Sequence, residues 1–178
     1  SSYNELVEKT GLTEMETAKW KEVQEKIYLP RKEGTKLLEQ FEGYFELDNV
    51  TIEKYDENDW PIRPEALKTK KAKETQINKQ ADVVMLLHLM GNEFDDETIK
   101  ENYAYYEKRT LHGSSLSPSI YSVMGLKVGD DSKAYRYLRR AAFIDLLNMQ
   151  GNTREGIHAA NTGGVWQTIV FGFAGVAQ

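Results

Sequence analysis

The sequence predicts an all-α chain on three observations: apolar residues recur at helical spacing in successive stretches, helix-start signals stand ahead of them, and proline or glycine closes them. The first stretch opens at Thr13-Glu14-Met15-Glu16, a capped start, and runs through Trp20, Val23 and Ile27 until Leu29-Pro30 stops it. After Pro30 the pattern changes. Gly34, Gly43, Pro61 and Pro64 interrupt short apolar groups, and Gln40-Phe41-Glu42-Gly43-Tyr44-Phe45 is an aromatic cluster with a carboxylate inside it. So long a loop in a compact domain is expected to be functional or ordered by a partner surface. The basic run Leu67 to Lys73 has acidic residues on both flanks and reads as a solvated linker.

Lys79 to Met90 is apolar nearly all round, which predicts a buried helix within a multi-helix layer. Lys79 and Gln80 stand at its polar beginning, where long side chains either reach into a cleft or are simply solvated. His88 falls inside the run and is expected to be a hydrogen-bonded core residue. Asp95 to Lys108 reads as a helix opened by Asp95 and Asp96, whose carboxylates suit the exposed N–H groups and positive dipole end. Ser117 is the expected N-cap of the next helix, with Pro118 at its first position and Ile120, Val123 and Met124 on one face. Asp131 to Asn148 is amphipathic, with Ala134, Tyr137, Leu138, Ala141, Ala142 and Asp145 forming a close-packing stripe, and Gly151 ends it. A final apolar helix is expected over Val165 to Val176.

Two joining segments carry chemistry. In Tyr106 to Pro118, a glycine and two hydroxyls arrive just ahead of a helix N-terminus, where free N–H groups, hydroxyl donors and the dipole suit an oxyanion such as phosphate. An ordinary serine-rich capping loop is the plainer alternative. In Arg154 to Trp166, His158 stands in a loop beside Gly163-Gly164. Those glycines would let the backbone approach a ligand and expose N–H groups at the helix start, and the histidine could donate to phosphate.

Other classes find no support. A net charge of -5, without a face loaded with lysine and arginine, argues against nucleic acid as a partner. The absence of cysteine excludes disulfides and thiol chemistry and fits a reducing compartment, so the protein is expected to be cytoplasmic. No apolar run approaches a membrane span. Gly151 to Gly156 lacks a dinucleotide fingerprint, and neither a His-Glu-x-x-His set nor a Gly-x-Ser-x-Gly elbow occurs. The chain length suits one domain with a sizeable core. Ser1-Ser2 and Ala177-Gln178 are expected to be internal points of something longer.

Together, Lys79-Gln80-Ala81-Asp82-Val83, Tyr106-Glu107-x-x-Thr110-x-His112-x-Ser114-Ser115-Leu116-Ser117 and Gly156-Ile157-His158-x-Ala160-x-x-Gly163-Gly164-x-Trp166 resemble the inverting disaccharide phosphorylases of glycoside hydrolase family 65, which include maltose, trehalose, kojibiose and nigerose phosphorylases. Gln40 to Phe45 also looks like that family's loop at this distance upstream. The resemblance runs from about Trp20 to Gly175. It implies that residues 1–178 are the C-terminal portion of an (α/α)6 barrel catalytic domain whose flanking β-domains are absent from this chain.

The implied reaction attacks the anomeric carbon of an α-glucoside with inorganic phosphate, giving β-glucose 1-phosphate with inversion while a glutamic acid protonates the leaving oxygen. The resemblance implies that Ser114, Ser115 and His158 hold phosphate, that Gly163 and Gly164 donate N–H groups to it, and that Lys79, Gln80 and Glu107 contact sugar hydroxyls. The general acid is expected upstream; Glu42, Glu107 and Glu155 match no such motif. Phosphate is co-substrate, and neither cofactor nor metal is expected. The implied partners are the disaccharide, phosphate, the remainder of the barrel and, in the full-length protein, a second copy in a homo-oligomer, a dimer. The other readings are an inverting hydrolase of the same family and a non-enzymatic helical binding module.

Overall fold

The computed structural model describes residues 3–58 and 60–176, with the side chains of Tyr3 and Asn4 left aside; the two chain ends singled out in the sequence lie outside the described residues. Among the described residues there are seven α-helices: α1 (Tyr3–Thr10), α2 (Glu14–Lys26), α3 (Asp82–Leu89), α4 (Asp96–Glu107), α5 (Ser117–Val128), α6 (Asp131–Phe143) and α7 (Ala159–Gln167). A π-helical segment, Thr168–Phe173, continues α7. Extended segments meet only in isolated bridges among these residues, so the all-α expectation holds.

Local chemistry explains the starts of α2, α4 and α6, which carry side-chain caps. Thr13 and Glu16 form a complete capping box on α2. The Trp20, Val23 and Ile27 side chains that predicted this helix are nevertheless exposed. Asp95 caps α4 by accepting from the Thr98 N–H at 2.7 Å. That bond and the Lys36 ammonium at 3.0 Å lower the Asp95 carboxyl from 3.8 to about 2. A carboxyl depressed in the folded state contributes stability above its unfolded pKa and loses it as pH falls through the folded one. Thermal melts between pH 5 and pH 2, run on wild type and Asp95→Ala, are expected to show a shallower acid decline in the variant over the window from about 4 to 2.

Several predicted boundaries moved. α3 begins at Asp82, so Lys79 and Gln80 precede it, and the helix is buried on Val83, Val84 and Leu87 while Leu86, Leu89 and Met90 are exposed. His88 is half-buried, and its ring has no hydrogen bond among the described residues; burial and then Lys127 push its pKa down. α6 ends at Phe143, short of the predicted Asn148, and turns carry the chain to Gly151.

The long loop before α3 is ordered by side chains that take over its backbone groups. Asn102, fully buried on α4, accepts from the Leu38 N–H at 2.8 Å and donates to the Lys36 carbonyl at 2.9 Å. The Tyr106 hydroxyl donates to the Leu38 carbonyl at 2.6 Å, and Tyr44 of the aromatic cluster donates to the Gln76 carbonyl at 2.5 Å. A buried backbone group without such a partner costs on the order of 1–3 kcal/mol, so these tyrosines and Asn102 explain why the loop packs on the helices instead of into solvent. The core beneath it joins Val84 and Leu87 of α3, Ile99 and Tyr103 of α4, and Tyr121 and Met124 of α5.

Helix directions follow from the contacts. Gly113, ahead of α5, donates its N–H to the Lys79 carbonyl ahead of α3, while Gly91, after α3, meets the Lys127 side chain at the end of α5. Gly164 of α7 lies on Ser119 near the start of α5, and Gly172 lies on Leu126 near its end. α3, α5 and α7 therefore run parallel. α6 runs against α5, since Ser122 donates to the Ala134 carbonyl and Tyr137 reaches the loop before Ser117. No helix among the described residues is long and apolar enough to cross a membrane.

Candidate functional site

The parallel run of α3, α5 and α7 brings three helix N-termini to one end of the layer, and none of the three has a side-chain cap. α2, α4 and α6 are all capped, by Thr13, Asp95 and Asp130. The positive dipole ends thus gather where the sequence placed its candidate anion loop, and although the Asp82, Ser117 and Ala159 N–H groups bond preceding carbonyls, later first-turn N–H groups such as those of Val83, Ser119 and Ala160 stay open.

A cavity of about 250 Å3 lies at this end, lined by Gln80, Ala81, Asp82, Met85, Ser114, Leu116, Ser117 and Ile120. Gln80 and Ser114, predicted from separate motifs, share it. Lys79 is adjacent: its side chain is close enough to Gly113 that a Cβ there would stand 3.3 Å from the Lys79 Cγ. Asp82 accepts from Gln80 Nε2 at 3.1 Å and from Gln40 Nε2 at 2.8 Å. Asp82 and Gln40 stand in the quoted motifs, but only this contact across 42 positions shows that they orient Gln80. Ser114 and Ser115 are half-buried in the turn leading to α5. Ser117, expected as its N-cap, is instead the first helical residue, and its hydroxyl is engaged with His112 Nδ1 at 2.9 Å.

His158 is the N-cap residue of α7, held by Asp145 from two sides. The carboxylate accepts from the His158 backbone N–H at 2.8 Å and from the ring at Nδ1 at 2.6 Å. The hydrogen bonds of His158 lower the Asp145 pKa. With Nδ1–H spent on Asp145, Nε2 is the ring atom left for a ligand. The sequence places Asp145 only in the packing stripe of the helix predicted over Asp131 to Asn148, and the structure puts it just beyond the end of α6. Its signal was a carboxylate among small and aromatic residues, on the stripe that must face a neighbour.

Two placements correct the sequence reading. Gly163 and Gly164 do not form a loop: the α7 ladder already starts with the Thr162 N–H bonding the His158 carbonyl at 3.2 Å, and the Ala159 N–H bonds the Ile157 carbonyl at 3.0 Å, so the glycine N–H groups lie inside the helix and the open end is at Ala160 and Asn161. Gly164 serves close packing, because a Cβ there would stand 2.4 Å from Ser119 Oγ. Glu107 does not reach the cavity shared by Gln80 and Ser114. It is buried, accepts from the Tyr137 hydroxyl at 3.0 Å and pairs with Lys133 at 2.8 Å. It lines a separate polar cavity of about 170 Å3 with Tyr55, Trp60 and Arg140, whose guanidinium lies 3.7 Å over the Trp60 ring. Glu42 and Glu155 are both exposed. Among the described residues no three His, Asp or Glu side chains gather as metal ligands.

Residues 1–167 match the glycosyl hydrolase family 65 central catalytic domain. The chain belongs to glycoside hydrolase family 65. It is 56% identical over 174 residues to the kojibiose phosphorylase of Thermoanaerobacter brockii, covering 98% of this chain and 22% of that protein. It is 33% identical, over 98% of its length and 22% of the relative's, to the alpha,alpha-trehalose phosphorylase of the same organism. A solved structure described as a putative kojibiose phosphorylase from human microbiome matches with a TM-score of 0.78 at 34% identity, over 99% of this chain and 23% of that one. The chain thus spans 22% of the length of these curated family 65 relatives. α4 runs against α3 as well, since the Asn78 N–H ahead of α3 bonds the Arg109 carbonyl after α4 at 2.7 Å, and the alternation of parallel α3, α5 and α7 with antiparallel α4 and α6 is the arrangement of part of an (α/α)6 barrel.

Proposed function

We propose that this chain is the phosphate-binding end of the catalytic domain of an inverting α-glucoside phosphorylase, with kojibiose as the disaccharide. The observation that carries the substrate is the 56% identity to the Thermoanaerobacter brockii kojibiose phosphorylase across 98% of this chain. In this reading Ser114, Ser115 and the free Nε2 of Asp145-held His158 bind phosphate at the uncapped starts of α5 and α7. Lys79 and Gln80 take sugar hydroxyls at the start of α3. Charge-assisted donors aimed at a dianion position it for in-line attack on the anomeric carbon, so phosphate supplies the nucleophile and no second carboxylate is needed to activate water. A carboxylic acid from outside this chain protonates the departing sugar oxygen. Phosphate is a co-substrate and the scheme uses no cofactor; a cysteine-free chain handling free phosphate fits the cytoplasm.

The test is made on the full-length protein. Kojibiose, trehalose, nigerose and maltose are each incubated with phosphate, and β-glucose 1-phosphate is assayed. Kojibiose is expected to react fastest, with strict dependence on phosphate. Glucose released equally well without phosphate would establish the hydrolase instead, and an absence of sugar and phosphate binding would leave a helical binding module.

A further inference from the structure

Four buried side chains run from the polar cavity to the first turn of α5: Glu107, Tyr137, His112 and Ser117. The proton on each can be assigned. The Tyr137 hydroxyl donates to Glu107 Oε1 at 3.0 Å, and the other carboxylate oxygen pairs with Lys133. A phenol has one proton, so its oxygen accepts from His112 Nε2–H at 3.0 Å. Burial, and then Arg140, pushes the imidazole pKa down to about 3, so the ring is neutral and its Nδ1 carries a lone pair. That lone pair accepts the Ser117 hydroxyl at 2.9 Å. The carboxylate at the far end therefore dictates which way the serine proton points.

The consequence is local to the proposed anion site. A serine at a helix start ordinarily turns its oxygen back onto first-turn N–H groups. Here the Ser117 hydroxyl is claimed by His112, and α5 has no side-chain cap. The Ser117 N–H in turn donates to the Ser114 carbonyl at 3.2 Å, so whatever holds Ser117 also holds the Ser114–Ser117 turn. His112 itself sits at φ +51, a left-handed conformation for a residue with a side chain, which the two ring hydrogen bonds help to retain.

We infer that His112 and Tyr137 are positioning residues of the phosphate site, acting through Ser117 to hold the Ser114-Ser115 turn at an uncapped α5, with Glu107 selecting the histidine tautomer. The inference takes its ligand, phosphate, from the function proposed above.

The test compares Tyr137→Phe with Tyr121→Phe in the full-length protein. Both rings are buried and lie against His112, at centroid distances of 4.7 and 4.8 Å, but the Tyr121 hydroxyl bonds Thr110 and stands outside the chain of four. Inorganic phosphate binding is measured by calorimetry without sugar, and KM is measured for phosphate and for disaccharide. Tyr137→Phe is expected to raise the phosphate Kd and KM about fivefold, a hydrogen bond's worth, with the disaccharide KM within about twofold. Tyr121→Phe is expected to leave phosphate binding unchanged, and Ser117→Ala to repeat the Tyr137→Phe effect from the other end. Equal effects of the two phenylalanines, no effect of Tyr137→Phe, or no phosphate binding by wild type would overturn the inference. Phosphate binding without phosphorolysis would instead sink the proposed reaction, while the two variants still decide the relay.

Discussion

Replacing His158 with alanine is expected to raise the phosphate KM of the full-length protein about 10- to 100-fold, because a hydrogen bond to a charged group contributes about 1.5–3 kcal/mol and each 1.4 kcal/mol is a factor of ten. The effect should fall on phosphate more than on disaccharide, since the ring stands at the start of α7 and the candidate sugar ligands Lys79 and Gln80 stand at the start of α3. Asp145→Asn provides the graded case. An amide of the same shape can accept only one of the two hydrogen bonds from His158 and presents a donor to the other, so the ring is held less firmly against the start of α7. Its phosphate KM should fall between wild type and His158→Ala. An unchanged phosphate KM in a stably folded His158→Ala protein would remove this residue from the site.

The second large effect is expected at Gly164, and the adjacent Gly163 supplies the contrast. A Cβ at Gly164 would stand 2.4 Å from Ser119 Oγ and 2.9 Å from its Cβ, at the contact where α7 crosses the first turn of α5. The serine cannot swing away freely, because its hydroxyl donates to the Leu116 carbonyl at 3.0 Å. Overpacking of this kind costs about 1–3 kcal/mol, and valine, with two further carbons on a stiff χ1, belongs at or above the upper end. Gly164→Val should therefore lower the melting temperature by several degrees and push apart the two helix starts that carry Ser114-Ser115 and His158. Gly163 has nothing within 4 Å of its would-be Cβ and sits in the body of the same helix. Gly163→Ala should stabilise the chain by up to about 1 kcal/mol from helix propensity alone. Melting curves of the two variants decide the matter; similar destabilisation by both would contradict the packing account of this glycine pair.

The helices were legible where their chemistry is local. Thr13 with Glu16, Asp95 with Thr98, and Pro118 at the second residue of α5 act within four residues of themselves, so their meaning survives without knowledge of the neighbours. The faces were less legible. Trp20, Val23 and Ile27 have the spacing of a packed stripe yet are exposed, because periodicity reports which residues would share a face and not whether anything covers it. His88, surrounded in sequence by apolar residues, was expected to find a hydrogen bond in a core, and the helix instead turns it toward an intermediate surface near Lys127.

The site divides along the same line. Residue types and their order pointed to an oxyanion loop ahead of α5, to a histidine ahead of α7, and to the family that the match over residues 1–167 bears out. All of that depends on short-range chemistry carried by contiguous residues. What depended on three dimensions was direction and partnership. Parallel packing put the starts of α3, α5 and α7 at one end, which brought Gln80 and Ser114, 34 positions apart, to one cavity. It set Asp145 against His158 across 13 positions and drew Glu107 away to Tyr137 and Lys133. It also placed the glycine pair, expected to offer N–H groups to a ligand, inside α7, with Gly164 at the close contact of two helices. A side chain's local preference is written in its neighbours along the chain, but the groups that satisfy a buried charge or fill a methyl-sized gap come from elements far away in sequence, and only packing selects them.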